Sequence, residues 1–416
     1  MSETIHNDTM TGVDKAWEIF MASKTNVRVI VQVSPAVRVA IGEAFGLVKG
    51  EDALGKLTTA LRVLGVDLVV DAAIADDAMT YALANEVKSR LANGGKLPLV
   101  YSKNWKRAEA ALENEELAPY VVAPRPAMQS LAVALKKLYL GDEKRTYVIA
   151  VAPCDGKTKG GLRDGDLPAT DLTLSTVEMI DILRSADLDL KYVPASPWDE
   201  PFGVPSGCGY IADIGGGVAE GVLRSLASDR SEDGIRRIEY SGVRGYKAVR
   251  VGYSDVNAIV VAGEECADQI AASVVDDSSN AVFVEIVGKP LGCVDGCGQP
   301  EADENTKRMR AYALYCLDKR SEVRVSEDSE DTVALAEIFE ADKVDDGFEE
   351  KEVSLSPFDV EPTVEESAPA EEIVEEAETE EENETESGKG PKTYDPNYRR
   401  MSKKERRKLK RTKNGK

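Results

Sequence analysis

The residues best equipped for chemistry lie in one loop, Gly288-Lys289-Pro290-Leu291-Gly292-Cys293-Val294-Asp295-Gly296-Cys297-Gly298-Gln299-Pro300. Cys293 and Cys297 stand four apart among glycines, directly after an apolar run over 281–287 that reads as a buried strand. A glycine-rich backbone can curl close to a ligand while its thiolates reach a metal. The same spacing also suits a simple glycine turn with two buried thiols, since cysteine is a common core residue. Cys154 occupies a comparable place, in Pro153-Cys154 after the strand-like run 146–152, and Lys103 follows the strand-like run 97–101. Cys208 lies in the irregular, proline- and glycine-rich stretch 194–209, within Ser206-Gly207-Cys208-Gly209. Cys266 and Cys316 fall on helical apolar patterns and read as structural.

The single histidine, His6, is close to the first residue. That removes Ser-His-Asp and Cys-His catalysis, histidine-ligated zinc or iron, and the usual proton carrier at neutral pH. Any metal must be held by thiolates or oxygens, and clustered thiolates without histidine favour an iron–sulfur cluster or a tetrathiolate zinc. The first ten residues have no apolar core for a signal peptide, and no apolar run approaches a membrane span. A soluble cytoplasmic protein with reduced thiols is expected, in which the six cysteines take metal-binding or buried roles rather than disulfides.

The elements that must position these residues alternate strand and helix. Strands are expected at 27–33, 68–71, 97–101, 146–152, 170–174, 237–241, 248–253, 258–262 and 281–287. Helices are expected at 14–22, 36–46 (opening on Pro35), 54–64, 76–91, 106–116, 127–139, 175–185, 217–227, 264–274 and 302–317. That alternation predicts α/β layers with largely parallel sheets, whose ligands gather beyond the carboxyl ends of strands. Gly207-Cys208-Gly209 imitates a dinucleotide-binding turn, but no clear strand precedes it and no matching acidic residue follows.

Charge divides the chain. Residues 345–388 hold nineteen acids against one base, and 389–416 hold thirteen bases against two acids. Of the net −23, residues 1–344 carry −16, which argues against DNA binding by the folded body. The expected organisation is a lead at 1–25, a domain at 26–341, a disordered acidic linker at 342–388 and a basic tail at 389–416. The tail is either a solubilising segment or an arm for an anionic partner.

From about residue 27 to 341 the sequence resembles the catalytic, H-cluster-binding domain of the [FeFe] hydrogenases. The likeness rests on Val33-Ser34-Pro35-Ala36-Val37-Arg38, the segment 97–105, Ala152-Pro153-Cys154-Asp155-Gly156-Lys157 and Gly161-Leu162-Arg163-Asp164. It continues through Pro201-Phe202-Gly203, Ser206-Gly207-Cys208-Gly209, Gly215-Gly216-Gly217, Ile238-Glu239-Tyr240 with Val243-Arg244-Gly245, and Gly296-Cys297-Gly298-Gln299-Pro300. The resemblance implies a two-lobed α/β domain with mixed and parallel sheets and a cleft between the lobes. It implies that Ser102, Lys103, Lys157, Phe202 and Lys289 line that cleft.

The departures from the family pattern define the expected site. The family holds its cluster with four cysteines from three loops. By this resemblance Lys103 and Lys289 stand at two of those positions, while Cys154 and Cys293 keep the others. The cysteine that relays protons is absent, Glu86 matches one member of the family's glutamate pair, and Leu83 occupies the other place. The family's cysteine-rich ferredoxin segment, which delivers electrons, is expected to be absent ahead of the domain. Cys208 and Cys297 stand where the family has small residues, so Cys154, Cys208, Cys293 and Cys297 are expected to converge on a [4Fe–4S] cubane or a zinc ion, with the complete H-cluster lost. Lys103 and Lys289 would neutralise such a cluster, bind a small anion, or face solvent in an opened cleft. The expected function is a hydrogenase-like iron–sulfur protein without H2 chemistry, acting in electron transfer, redox sensing or cluster handling, with a redox protein partner. The alternative is a metal-free interaction module that uses the cleft and charged tail to bind a protein or RNA. If the chain is an enzyme at all, it is a hydrogenase-like oxidoreductase.

Overall fold

The computed structural model describes residues 12–23, 27–104, 108, 111–154, 169–235, 239–241, 248–253, 256–263 and 281–344. All of them belong to the first of two units, residues 1–361. Two sheets organise it. In the first, β1 (Val27–Val33), β2 (Leu68–Asp71), β5 (Arg145–Ala152) and β6 (Leu172–Ser175) run parallel in the order β2-β1-β5-β6. In the second, β3 (Leu99–Ser102), β4 (Val121–Val122), β9 (Val256–Ala262) and β10 (Ala281–Val287) form a parallel core, β4-β3-β10-β9. It is extended by antiparallel β8 (Ala248–Tyr253) and β7 (Glu239–Ser241).

The central strands are covered on both faces, which is why they read as continuous β-branched and apolar runs rather than alternating ones. Along β5, Tyr147, Ile149 and Val151 enter an outer core, while Val148, Ala150 and Ala152 enter a core shared with the second sheet. The outer core packs α1 (Gly12–Ala22), α2 (Leu54–Val63) and α5 (Thr176–Ser185) on the first sheet. The shared core collects α3 (Ala73–Asn93), α4 (Ala127–Leu138) and α7 (Gly217–Leu226) with Phe283 and Val287 of β10. α3 is alanine-rich and buried through most of its first three turns, so it can pass close to its neighbours. α6 (Gly207–Ile211), α8 (Glu304–Arg320) and α9 (Glu330–Val344) close the fold.

Most expected elements are present within a residue or two. The expected helix at 36–46 is instead one turn, Pro35–Arg38, followed by a 3-10 turn, Ile41–Phe45. The Arg38 carbonyl accepts the Ala53 N–H at 2.9 Å, and its guanidinium is buried against Asp52 and Asp71, which diverts the chain from a regular helix. The expected helix around Cys266 and residues 345–416 lie outside the described residues. Among the described residues, no helix is long and apolar enough to cross a membrane.

Candidate metal centre

The carboxyl ends of β3, β5 and β10 deliver the site. Pro153-Cys154 follows β5. The segment after β10 turns through a short 3-10 element, Gly292–Asp295, and continues to Cys297. The two loops are pinned together, since the Gly298 N–H donates to the Pro153 carbonyl at 2.8 Å. Gln299 adds a second tie, donating from Nε2 to the Ala36 carbonyl at 2.9 Å. The Cys293 N–H donates to the Asp213 carbonyl at 2.9 Å, which fixes the third loop against the turn before α7.

These loops surround a cavity of about 260 Å³ lined by Cys154, Cys293 and Cys297, with Lys103, Asp213, Glu285, Lys289 and Asp295 among its other walls. Ordinary small-molecule pockets run from roughly 300 to 1,000 Å³, so this space suits a compact occupant and is too small for a dinucleotide. Cys293 and Cys154 are half-buried and Cys297 is exposed. Cys208 does not join them. It is fully buried on α6, its Sγ 3.2 Å from the Arg324 carbonyl and 4.0 Å from the Arg224 guanidinium. Burial pushes its thiol up to about 11, so it stays protonated. Of the four cysteines expected to converge, Cys154, Cys293 and Cys297 line the cavity and Cys208 does not. Among the described residues, no three His, Cys, Asp or Glu side chains are gathered tightly enough to hold a single metal ion.

Lys103 lies on the cavity wall, with its charge engaged inside the protein. Its ammonium turns inward and lies 3.0 Å from Asp76 and 3.0 Å from Asp213, donating also to the Ala212 carbonyl at 2.8 Å. Burial alone would lower this amine, but the two aspartates outweigh it and hold it well above its ordinary value. The cation is thus balanced within the protein rather than offered to an anion. Lys289 is half exposed and pairs with Asp295 at 3.3 Å, and Lys307 reaches the same carboxylate at 2.7 Å.

The remaining expected cleft residues divide. Ser102 is buried, donating to the Ile286 carbonyl at 2.9 Å, so it joins β3 to β10 instead of lining the cavity. Phe202 packs against the shared core, away from the cavity. Lys157 lies outside the described residues. Glu86 forms an exposed pair with Arg90 at 2.8 Å, and Leu83 is buried in the core.

Three further carboxylates stand at the site. Glu285 is 1% exposed within β10 and accepts N–H bonds from Gly216 at 3.3 Å and Ala219 at 2.7 Å, at the start of α7. Burial raises its carboxyl to about 7 against the pull of those donors and Lys103. A lone acid inside an apolar strand was the signal for it. Asp213 accepts from Ser34 Oγ at 2.5 Å and the Ala36 N–H at 2.9 Å. It and Asp76 carried no comparable mark.

With this geometry in place, the chain can be compared with known proteins. Residues 27–297 match the model of the iron only hydrogenase large subunit, C-terminal domain, and the chain belongs to that family. It is 30% identical over 327 residues to Iron hydrogenase 1 of Clostridium pasteurianum, an alignment covering 72% of this chain and 56% of that protein. The chain thus spans little more than half of that relative. It is also 24% identical over 308 residues to the cytosolic Fe-S cluster assembly factor narfl of Danio rerio, covering 68% of this chain and 74% of the other. A variant of the [FeFe]-hydrogenase HydA1 from Chlamydomonas reinhardtii superposes with a TM-score of 0.63 at 25% identity, covering 78% of this chain and 94% of that one. The fold is therefore the α/β [FeFe]-hydrogenase fold with its parallel sheets.

Proposed function

We propose that this chain is a hydrogenase-like iron–sulfur protein without H2 chemistry, which holds a [4Fe–4S] cluster through Cys154, Cys293 and Cys297 and works in electron transfer, redox sensing or cluster handling. The observation that carries the reading is the replacement pattern at one cavity. Three thiols from two loops line it, while Lys103, at the family's first ligand position, is neutralised by Asp76 and Asp213. The donor type fits the group, since cysteine thiolates are the ligands of iron–sulfur clusters and three of them face one cavity. When bound, a cluster would supply one-electron chemistry or an iron–sulfur unit for transfer.

The protein's own part is to hold and shield. The hydrogen bonds from Gly298 to Pro153 and from Cys293 to Asp213 fix the cysteine loops, and Ile286 and Val287 of β10 form an apolar part of the cavity wall. Of the family's glutamate pair only Glu86 is present, and it is engaged at the surface by Arg90, so it offers no buried proton route. The similarity to a cluster assembly factor favours cluster handling among the three roles. A redox or cluster-receiving protein partner and a cytoplasmic setting accompany this reading.

The test is iron and acid-labile sulfide per chain on anaerobically purified protein, beside a Cys154→Ala, Cys293→Ala double variant. About four irons and four sulfides, lost in the variant, are expected for a cubane. Wild-type protein that holds neither, even after chemical reconstitution, would leave the metal-free interaction module as the better account.

A further inference from the structure

We propose that the cluster at this site keeps one iron without a cysteine ligand, open to a small ligand from solution such as a free thiol. The inference rests on the cluster reading above and concerns how this chain completes, or fails to complete, the ligand set.

A cubane takes four thiolates when the protein supplies every ligand. The chain has six cysteines, and three of the five that are described line the cavity. Cys208 is fully buried beside Arg224, whose guanidinium also binds Asp318 at 2.8 Å, and is not part of the cavity wall. Cys316 is on α8, where its side chain hydrogen-bonds Tyr312, a residue 64% exposed on the outer surface. Cys266 lies outside the described residues and is included in the test.

The non-cysteine groups on the cavity wall are each committed elsewhere. Lys103 stands where the family has a thiolate, and an ammonium has no lone pair to give. Asp213 is engaged by Ser34, Ala36 and Lys103. Glu285 is engaged by the N–H groups at the start of α7. Asp295 is held by Lys289 and Lys307. Turning any of these carboxylates to iron would abandon a charge-assisted or buried hydrogen bond. No described wall residue is thus a ready fourth donor, and Cys297, the most exposed of the three thiols, places the ligand set at a mouth that solvent reaches.

The experiment uses the full chain purified anaerobically with its cluster. One equivalent of ferricyanide takes one electron from the [4Fe–4S]2+ form. The three-thiolate cluster then releases one Fe2+ and remains as [3Fe–4S]+. The expected result is loss of a quarter of the iron with sulfide unchanged, and a [3Fe–4S] electron paramagnetic resonance signal. Adding 57Fe2+ with a reductant should refill one position, whose Mössbauer doublet alone shifts when a small thiol is added. A Cys208→Ser, Cys266→Ser, Cys316→Ser triple variant should behave as wild type.

Retention of all four irons, or a refilled iron indifferent to thiol, overturns this inference while leaving the cluster reading intact. So does a Cys266→Ser chain that loses more than half of its cluster, because Cys266 would then be the fourth ligand. A wild-type chain without iron or sulfide overturns both.

Discussion

Glu285 sits in the middle of a strand whose other side chains are apolar, and its two oxygens meet the first N–H groups of α7. A helix N-terminus favours a carboxylate, but here burial is the larger influence and lifts the group from an ordinary 4.5 to about 7. The folded chain therefore binds more protons than the unfolded chain between those two values. Stability contributed by this proton is fully present below about pH 4.5 and is lost as pH rises through 7, a total of roughly 3 kcal/mol. Glu285→Gln keeps an acceptor for the helix and removes the titration. Urea unfolding across that window should give a falling stability for wild type and a flatter line for the variant. Parallel lines would mean that the carboxylate is already ionised throughout.

At the scale of elements, the glycines of the cysteine loop serve neighbouring backbone. Gly292 has φ +69°, and a Cβ there would lie 2.5 Å from the Gly215 nitrogen. A Cβ on Gly296 would lie 2.4 Å from the Pro153 carbonyl oxygen. The loop after β10 thus packs backbone against backbone on both the turn before α7 and the loop after β5. Gly292→Ala combines left-handed strain of roughly 1–3 kcal/mol with this clash and displaces Cys293 next to it. Gly46 has a similar φ, +73°, but its Cβ would enter open space. Gly46→Ala should therefore lower the melting temperature only modestly and leave iron content unchanged, whereas Gly292→Ala should lower both. Equal iron in the two variants would separate the loop's packing from the site.

The same elements show what the sequence disclosed. Doubly covered strands give long apolar runs, so β1, β5 and β10 were legible, and strand ends in α/β sheets pointed to Cys154, Cys293 and Lys103. The destination of Lys103 was not legible, because its partners come from α3 and from the turn before α7, far away in the chain. Cys208 misled for a related reason. Its glycine-flanked motif resembles a loop at the cleft, yet the Ser206 side chain caps α6 and donates to the buried Asp77, which draws the segment into the interior.

Over the whole molecule, Asp213 joins the two sheets. It holds Ser34 and Ala36 at the end of β1, Lys103 at the end of β3, and through its carbonyl Cys293 beyond β10. Its side chain is fully buried, and the side chain of Lys103 is 15% exposed, so little solvent screens the pair. Removing one partner of such a pair leaves a buried charge uncompensated and typically costs about 3–5 kcal/mol. Asp76 still faces Lys103 when Asp213→Asn is made, which places that variant at the low end. Lys103→Met strands two aspartates and belongs at the high end. The double variant removes both members, and the remaining asparagine can still accept from Ser34 and Ala36. Its loss of stability should therefore fall short of the sum of the single losses by about 1–3 kcal/mol, read from urea unfolding of the four proteins. Strict additivity would show that the sheets are held together elsewhere and that Lys103 only fills the space of the lost ligand.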